Sequence, residues 1–288
     1  MSNLDADERY VGRDTGGTEY FITRDLVERY MAATGDDNPL YAGQEGIAPA
    51  LLLYNEVFRN LDWYLPNIYG NLHARQEWDI FAPIRVGEAL RSASVIVDRY
   101  EKRDREYVVK EVLVFGQSGR LVSRSRTHQS FMRQDQPKVE GVVIDRTREK
   151  ALGRVFKIGE RDGERFETSP RKLTEAMCMA FSGPRLNYHN NREKAVELGF
   201  PEIVVQGMLS VCMLGELMTR RFGVGFMHGG RLNLSLVNIL WGNDVASARG
   251  LIVERRTEGK RKRAECEVWC EKADGVKVTL GTASAIEL

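Results

Sequence analysis

The sequence predicts an α+β fold made of two copies of one unit, each an antiparallel β-sheet with a long buried helix. Three observations predict it. One order of elements (a strand, a helix, a second and mostly apolar helix, then four strands) occurs twice along the chain. The strands come in a run after the helices, which indicates an antiparallel sheet with helices on one face. Finally, 288 residues correspond to about two domains at roughly 150 residues each.

The first copy opens with an amphipathic helix that carries Leu26, Val27, Tyr30 and Met31 and stops at Gly35. The second carries Leu173, Met177 and Phe181 and stops at Gly183, 148 residues later. A long apolar segment follows in each, at residues 47–61 (IAPALLLYNEVFRNL) and 203–218 (IVVQGMLSVCMLGELM). Leucine and methionine on nearly every face predict a buried helix in both. Strands are expected at 76–81, 90–98, 106–115 and 120–131, then at 231–240, 246–254, 264–270 and 276–286. Basic turns at 101–105 and 257–263 join the middle strands. Gly87 and Gly242, 155 residues apart, mark turns in similar places. Cys266, Val268 and Cys270 alternate on one strand face and read as core. The second copy carries an extra segment, REKAVELGFPE, which lengthens the path from His189 to Met208. The resulting organisation is a tail at 1–16, a first unit at 17–133, a charged linker at 134–164 and a second unit at 165–288.

Composition excludes several functions. Lysine and arginine number 42 against 41 acidic residues, so a net charge of +1 gives no general attraction to nucleic acid or anionic membrane. The longest stretch without an acidic or basic residue, 203–215, is 13 residues, and a spanning helix needs about 20. The N-terminal residues MSNLDADERY lack the basic and apolar regions of a secretory signal. Four cysteines with no CxxC pair read as free thiols, and a cytoplasmic location is expected. No Gly-rich phosphate loop or metal-ligand cluster is present in the sequence, so neither a metal nor a redox cofactor is expected.

One family's motif is present in pieces. The first copy contains Thr34-Gly35-Asp36-Asp37-Asn38-Pro39-Leu40, with Tyr41 next. The second contains Ser182-Gly183, His189, Gly199-Phe200 and Gln206-Gly207-Met208. These residues resemble the MaoC-like hydratase/dehydratase family in its double-hotdog form, in which each unit is a long helix wrapped by an antiparallel sheet. The first half, with Leu72-His73-Ala74-Arg75-Gln76-Glu77-Trp78, looks like the N-terminal dehydratase domain of the fused members. The family pattern is not kept whole in either half. Tyr41 and Gln206 stand where histidines are expected, Pro184 where an aspartate is, and Leu186 where an asparagine is.

The resemblance implies addition or removal of water at an enoyl or 3-hydroxyacyl thioester, with acyl-CoA as substrate. That chemistry needs a carboxylate and a histidine to hold water and pass its protons. It also needs a backbone N–H at a helix start to stabilise the enolate oxygen. His189 is the first candidate, with Asn187 to orient it; the competing reading is a surface histidine satisfied by solvent. Asp36 is the second, as base or water anchor, with Asn38 and Tyr41 beside it; the competing reading is a turn held by an Asp-Asp-Asn-Pro sequence. Gly207 is the candidate oxyanion donor and Gln206 a thioester or water contact, whereas Pro49 in the first copy has no N–H to offer. His73 and His228 precede similar strands and read first as structural, and His128 on a strand is given no role. The turn Lys260-Arg261-Lys262-Arg263 offers cations for CoA phosphates, or is simply a solvated hairpin tip. Two other functions stay open: an acyl-CoA thioesterase using Asp36, and a non-catalytic acyl-CoA binding protein. A homodimer of double-hotdog subunits is expected by analogy.

Overall fold

The computed structural model describes residues 9–43, 46–59, 72–102, 105–132 and 156–288. Most of the expected linker, including residues 142–144, and half of the expected tail lie outside these. Among the described residues, one sheet of twelve strands organises the fold. Its main path runs β1 (Asp14–Gly16), β4 (Ala89–Lys102), β5 (Arg105–Phe115), β6 (Leu121–Met132), β3 (Leu72–Ile80), β9 (Arg231–Leu236), β12 (Lys277–Glu287), β11 (Arg261–Lys272), β10 (Val245–Glu258), β7 (Glu164–Glu167). The short β2 (Glu19–Phe21) also pairs with β4, and β8 (Arg171–Lys172) with β10. All pairs are antiparallel, and the order reads the same from either edge toward the centre. The two copies meet where β3 pairs with β9, with Trp78 opposite Leu232 and Gln76 opposite Leu234. Residues 14–16, expected as tail, form an edge strand on β4.

The eight expected strands are present, because alternating apolar residues meet a sheet with one buried face. Cys266, Val268 and Cys270 are all buried, as their alternation predicts. The two glycine-terminated helices are α1 (Arg24–Thr34) and α2 (Glu175–Ser182). Thr23 caps α1 by accepting from the Leu26 N–H, and Thr174 caps α2 by accepting from the Met177 N–H. Gly35 closes α1 at φ +70°, a left-handed conformation that favours glycine, beside the Arg171 side chain. The extra segment forms α3 (Arg192–Glu197).

The second long helix is α4 (Gly207–Phe222), followed by a single turn, α5 (Val224–Met227). Thirteen of the sixteen residues of α4 are buried. The first copy departs from expectation. Residues 50–53 are turns and Tyr54–Phe58 a 3-10 helix, with bonds such as Leu52 N–H to Pro49 O and Glu56 N–H to Leu53 O. An apolar run on every face reports burial but carries no 3.6-residue period, so it does not by itself specify a helix. This segment packs instead against α4: a Cβ on Gly215 would lie 2.7 Å from Leu51 Cδ1. Residues 60–61 of the expected helix lie outside the described residues.

Backbone bonds fix the equivalence of the copies. Ile22 N–H to Glu88 O and Gly87 N–H to Ile22 O repeat as Leu173 N–H to Asp244 O and Asn243 N–H to Leu173 O. The residue equivalent to Gly87 is therefore Asn243, at φ +69°, and not Gly242; asparagine tolerates that left-handed conformation. Ala48 N–H to Ile84 O repeats as Val205 N–H to Leu240 O, so Pro49 stands where Gln206 does.

Candidate active site

The second-copy residues gather at the first turn of α4. His189 follows the Ser182–Asn187 loop, which is sewn together by its own asparagines. The Asn187 side chain donates to the Ser182 carbonyl at 3.1 Å and accepts the His189 N–H at 2.8 Å. Asn190, fully buried, accepts the Asn187 N–H at 2.9 Å and donates to the Arg185 carbonyl. Ser182 Oγ donates to Gln206 Oε1 at 3.2 Å, and Gln206 immediately precedes Gly207, the first residue of α4. His189, Asn187, Gln206 and Gly207 thus form one connected set. Asn187 holds the His189 backbone N–H, while the Val204 carbonyl holds the ring.

The protonation of His189 follows from its partner. Nδ1 lies 2.7 Å from the Val204 carbonyl, which can only accept, so Nδ1 carries the hydrogen and Nε2 keeps its lone pair. Burial pushes the imidazole down to about 4, against the opposite pull of that carbonyl. His189 is therefore a neutral ring with an acceptor nitrogen at pH 7. The ring packs on Tyr188, with centroids 4.0 Å apart. Tyr188 in turn stacks on Phe200, which approaches Trp241. The sequence offered no reason to pick out Tyr188 or Trp241, because these rings converge from separate segments.

The amide end of α4 lies at Gly207. Gln206 is its N-cap residue but makes no side-chain cap bond. A 16-residue helix leaves its first N–H groups without helical partners, with the positive end of the dipole beside them. Gly207 is also required by packing: a Cβ there would lie 2.4 Å from Leu236 Cδ2. Its two readings, amide donor and close packing, are compatible.

Asp36 lies elsewhere. Its carboxylate accepts the Tyr41 hydroxyl at 2.9 Å and the Asn38 N–H at 3.1 Å, with Arg220 Nη2 at 3.8 Å. Asn38 itself accepts the Leu40 N–H and starts a turn. Asp36, Asn38 and Tyr41 are all buried. Burial, then the charge of Glu216, raises the Asp36 carboxyl to about 6. Buried Glu216 accepts two bonds from Arg171, at 2.8 and 3.0 Å, and one from Arg220 at 2.8 Å. Arg171 also donates to the Thr34 carbonyl at 2.8 Å, and Arg220 reaches exposed Asp37. Second-copy residues thus grip the first-copy loop.

The two candidates do not meet. Glu216 and Arg220 lie nine and thirteen residues along α4 from Gly207, roughly 14 and 20 Å at 1.5 Å per residue. Asp36 belongs to the far part of α4 and His189 to its start.

The basic turn is also remote. Gly207 is beside Leu236 at the end of β9, whereas Arg263 bonds the Gly229 carbonyl at 2.7 Å and Ser284 at 3.0 Å, next to the start of β9. Arg263 is buried and also holds Glu258, so it is a structural cation and not a phosphate contact. Lys260, Arg261 and Lys262 are exposed at the hairpin tip. His228 is exposed beyond α5, and His128 bonds Tyr100 at 3.0 Å. All four cysteines are buried and unpaired. Among the described residues no group of three or more His, Cys, Asp or Glu is placed to hold a metal. No helix among them is long and apolar enough to cross a membrane.

No family model matches the sequence, and no curated protein matches it. Solved structures do. A conserved hypothetical protein of Mycobacterium tuberculosis with a double hotdog fold superposes at a TM-score of 0.63, with 11% identity over 98% of each chain. The chain has the double-hotdog fold. A MaoC-like dehydratase from Phytophthora capsici shares it at a TM-score of 0.71, with 13% identity over 97% of each chain. The resemblance read from the motifs therefore holds at the level of the fold. A Lactobacillus plantarum protein described as an oleoyl thioesterase is similar too, at a TM-score of 0.55 and 10% identity, over 96% of this double hotdog and 97% of that chain.

Proposed function

We propose that this double hotdog is a hydro-lyase that adds water to, or removes it from, an enoyl/3-hydroxyacyl thioester at the start of α4. One observation carries the reading. A neutral histidine, its Nδ1 locked on the Val204 carbonyl, is tied through Asn187, Ser182 and Gln206 to the first residue of a buried 16-residue helix. In hydration, a water O–H bond breaks as its proton passes to His189 Nε2, and its oxygen bonds to the β-carbon. The C=C pair moves onto the thioester oxygen, where the Gly207 N–H stabilises the enolate. The imidazolium then returns the proton to the α-carbon as the carbonyl re-forms. One water is added and His189 is neutral again. The substrate is an acyl-CoA, and the assembly is a homodimer of double-hotdog subunits, both by analogy with the family the motifs resemble.

The thioesterase reading would place the base on Asp36. That carboxylate is buried among Tyr41, Asn38 and Arg220, remote from Gly207, which argues against it. The test follows enoyl absorbance and free thiol together, with crotonyl-CoA and branched or dicarboxylic enoyl-CoAs. Loss of the enoyl signal without thiol supports the hydro-lyase. Thiol release supports the thioesterase. Thermal stabilisation by the ligands with neither signal indicates a binding protein.

A further inference from the structure

We propose that His73, from the first copy, is the second acceptor of the α4 site and takes the place of the carboxylate that the second copy lacks. This rests on the reaction proposed above. A side-chain relay runs through the first-copy sheet. Gln76, fully buried on β3, donates from its amide nitrogen to the Glu77 carbonyl at 3.0 Å. That bond fixes the direction of the amide, because a carbonyl only accepts. Gln76 Oε1 therefore faces Thr127 Oγ1, at 2.8 Å, and His73 Nε2, at 3.0 Å. An amide oxygen has no proton to give, so His73 Nε2 carries the hydrogen and Nδ1 is a bare lone pair.

That nitrogen is buried and makes no hydrogen bond of good geometry among the described residues, with the Arg75 backbone near the ring. It lies beside the start of α4: Nδ1 is 3.9 Å from where a Cβ on Gly207 would be. An orphaned buried acceptor is destabilising if it serves only packing. Burial pushes His73 down to about 4, so the ring stays neutral. Phe58 lies edge-on to it, with centroids 5.7 Å apart. The site thus has two neutral imidazoles, each with one nitrogen locked on the protein and the other free. His189 Nε2 takes the proton. His73 Nδ1 accepts the other O–H of the water, or the hydroxyl of the 3-hydroxyacyl product, and no bond to His73 is made or broken. The second copy's incomplete motif is completed from the first, across the β3–β9 junction.

The test compares His73→Gln and His73→Asn in the full chain. Glutamine keeps a donor for Gln76 and removes the Nδ1 acceptor; asparagine keeps an acceptor near the Nδ1 position. Expected for His73→Gln is a 10–100-fold fall in kcat on enoyl-CoA, with KM within threefold and butyryl-CoA binding unchanged. His73→Asn should recover at least part of the loss. An active parent whose His73→Gln variant stays within twofold overturns the acceptor role and leaves the reaction standing. A parent inactive on every acyl thioester overturns the reaction and the acceptor role with it. Should the variants not fold, nitrogen NMR of the parent decides, since only four histidines contribute. 3-Hydroxybutyryl-CoA should shift the unprotonated His73 Nδ1 resonance, and an unmoved resonance refutes the role.

Discussion

Replacing Asp36 by asparagine should stabilise the protein at neutral pH. The carboxyl is raised from 3.8 to about 6, with burial the largest cause and the charge of Glu216 the next. A carboxylate whose folded value lies above its unfolded one makes the native state bind protons more tightly. Stability then falls as pH rises from about 4 to about 6, and the full cost persists above 6. The shift corresponds to about 3 kcal/mol at 1.36 kcal/mol per unit. Asparagine mimics the protonated form. It can still accept the Asn38 N–H, and the Tyr41 hydroxyl can rotate to suit the amide. Asp36→Asn should therefore unfold with a Tm roughly 5–10 °C higher at pH 7.5, and match the parent at pH 4. Paired denaturation curves at pH 4, 5, 6 and 7.5 measure the difference and cancel the other titrating groups. A variant less stable than the parent at pH 7.5 would refute the reasoning, because it would make the Arg220 contact worth more than the cost of burial.

Three further outcomes follow from other parts of the molecule. Glu216→Ala should lose about 3–5 kcal/mol in chemical denaturation, since it leaves the partly buried Arg171 cation without its carboxylate. Gly207→Ala should lose about 1–3 kcal/mol through the clash with Leu236, and adding Leu236→Ala should recover more than half of it in a double-mutant cycle. Lys260→Ala, Arg261→Ala and Lys262→Ala together should leave KM for an acyl-CoA within twofold, whereas Arg263→Ala alone should lower Tm, because Arg263 is buried on Glu258, Gly229 and Ser284.

The strands were legible because period-two alternation, glycine turns and basic hairpin tips are local features. The helix at 207–222 was legible for the same reason, with a glycine start and a run of leucine and methionine. Residues 47–59 look much the same in composition, yet they fold as turns and a short 3-10 helix, since burial on all sides does not specify a period. The site was half legible. His189 and Asn187 are joined by a bond two residues apart, whereas the bond from Ser182 to Gln206 spans 24 residues. Asp36 looked catalytic because its turn carries the family's motif. What buries it, Arg171, Glu216 and Arg220, comes from the other copy. His73 reads as structural in the sequence; its bond to Gln76, which Thr127 also bonds, and its approach to Gly207, 134 residues away, are brought together only by the fold.

The central claim is that the start of α4, and not the Asp36 cluster, is where the chemistry occurs. Turnover of one enoyl-CoA by His189→Ala and Asp36→Asn, side by side at pH 7.5 with butyryl-CoA binding as the control for fold, tests it most directly. The account predicts a fall of about 100-fold or more for His189→Ala, the range of general acid–base catalysis, and less than threefold for Asp36→Asn. A near-normal His189→Ala beside an inactive, folded Asp36→Asn would contradict it.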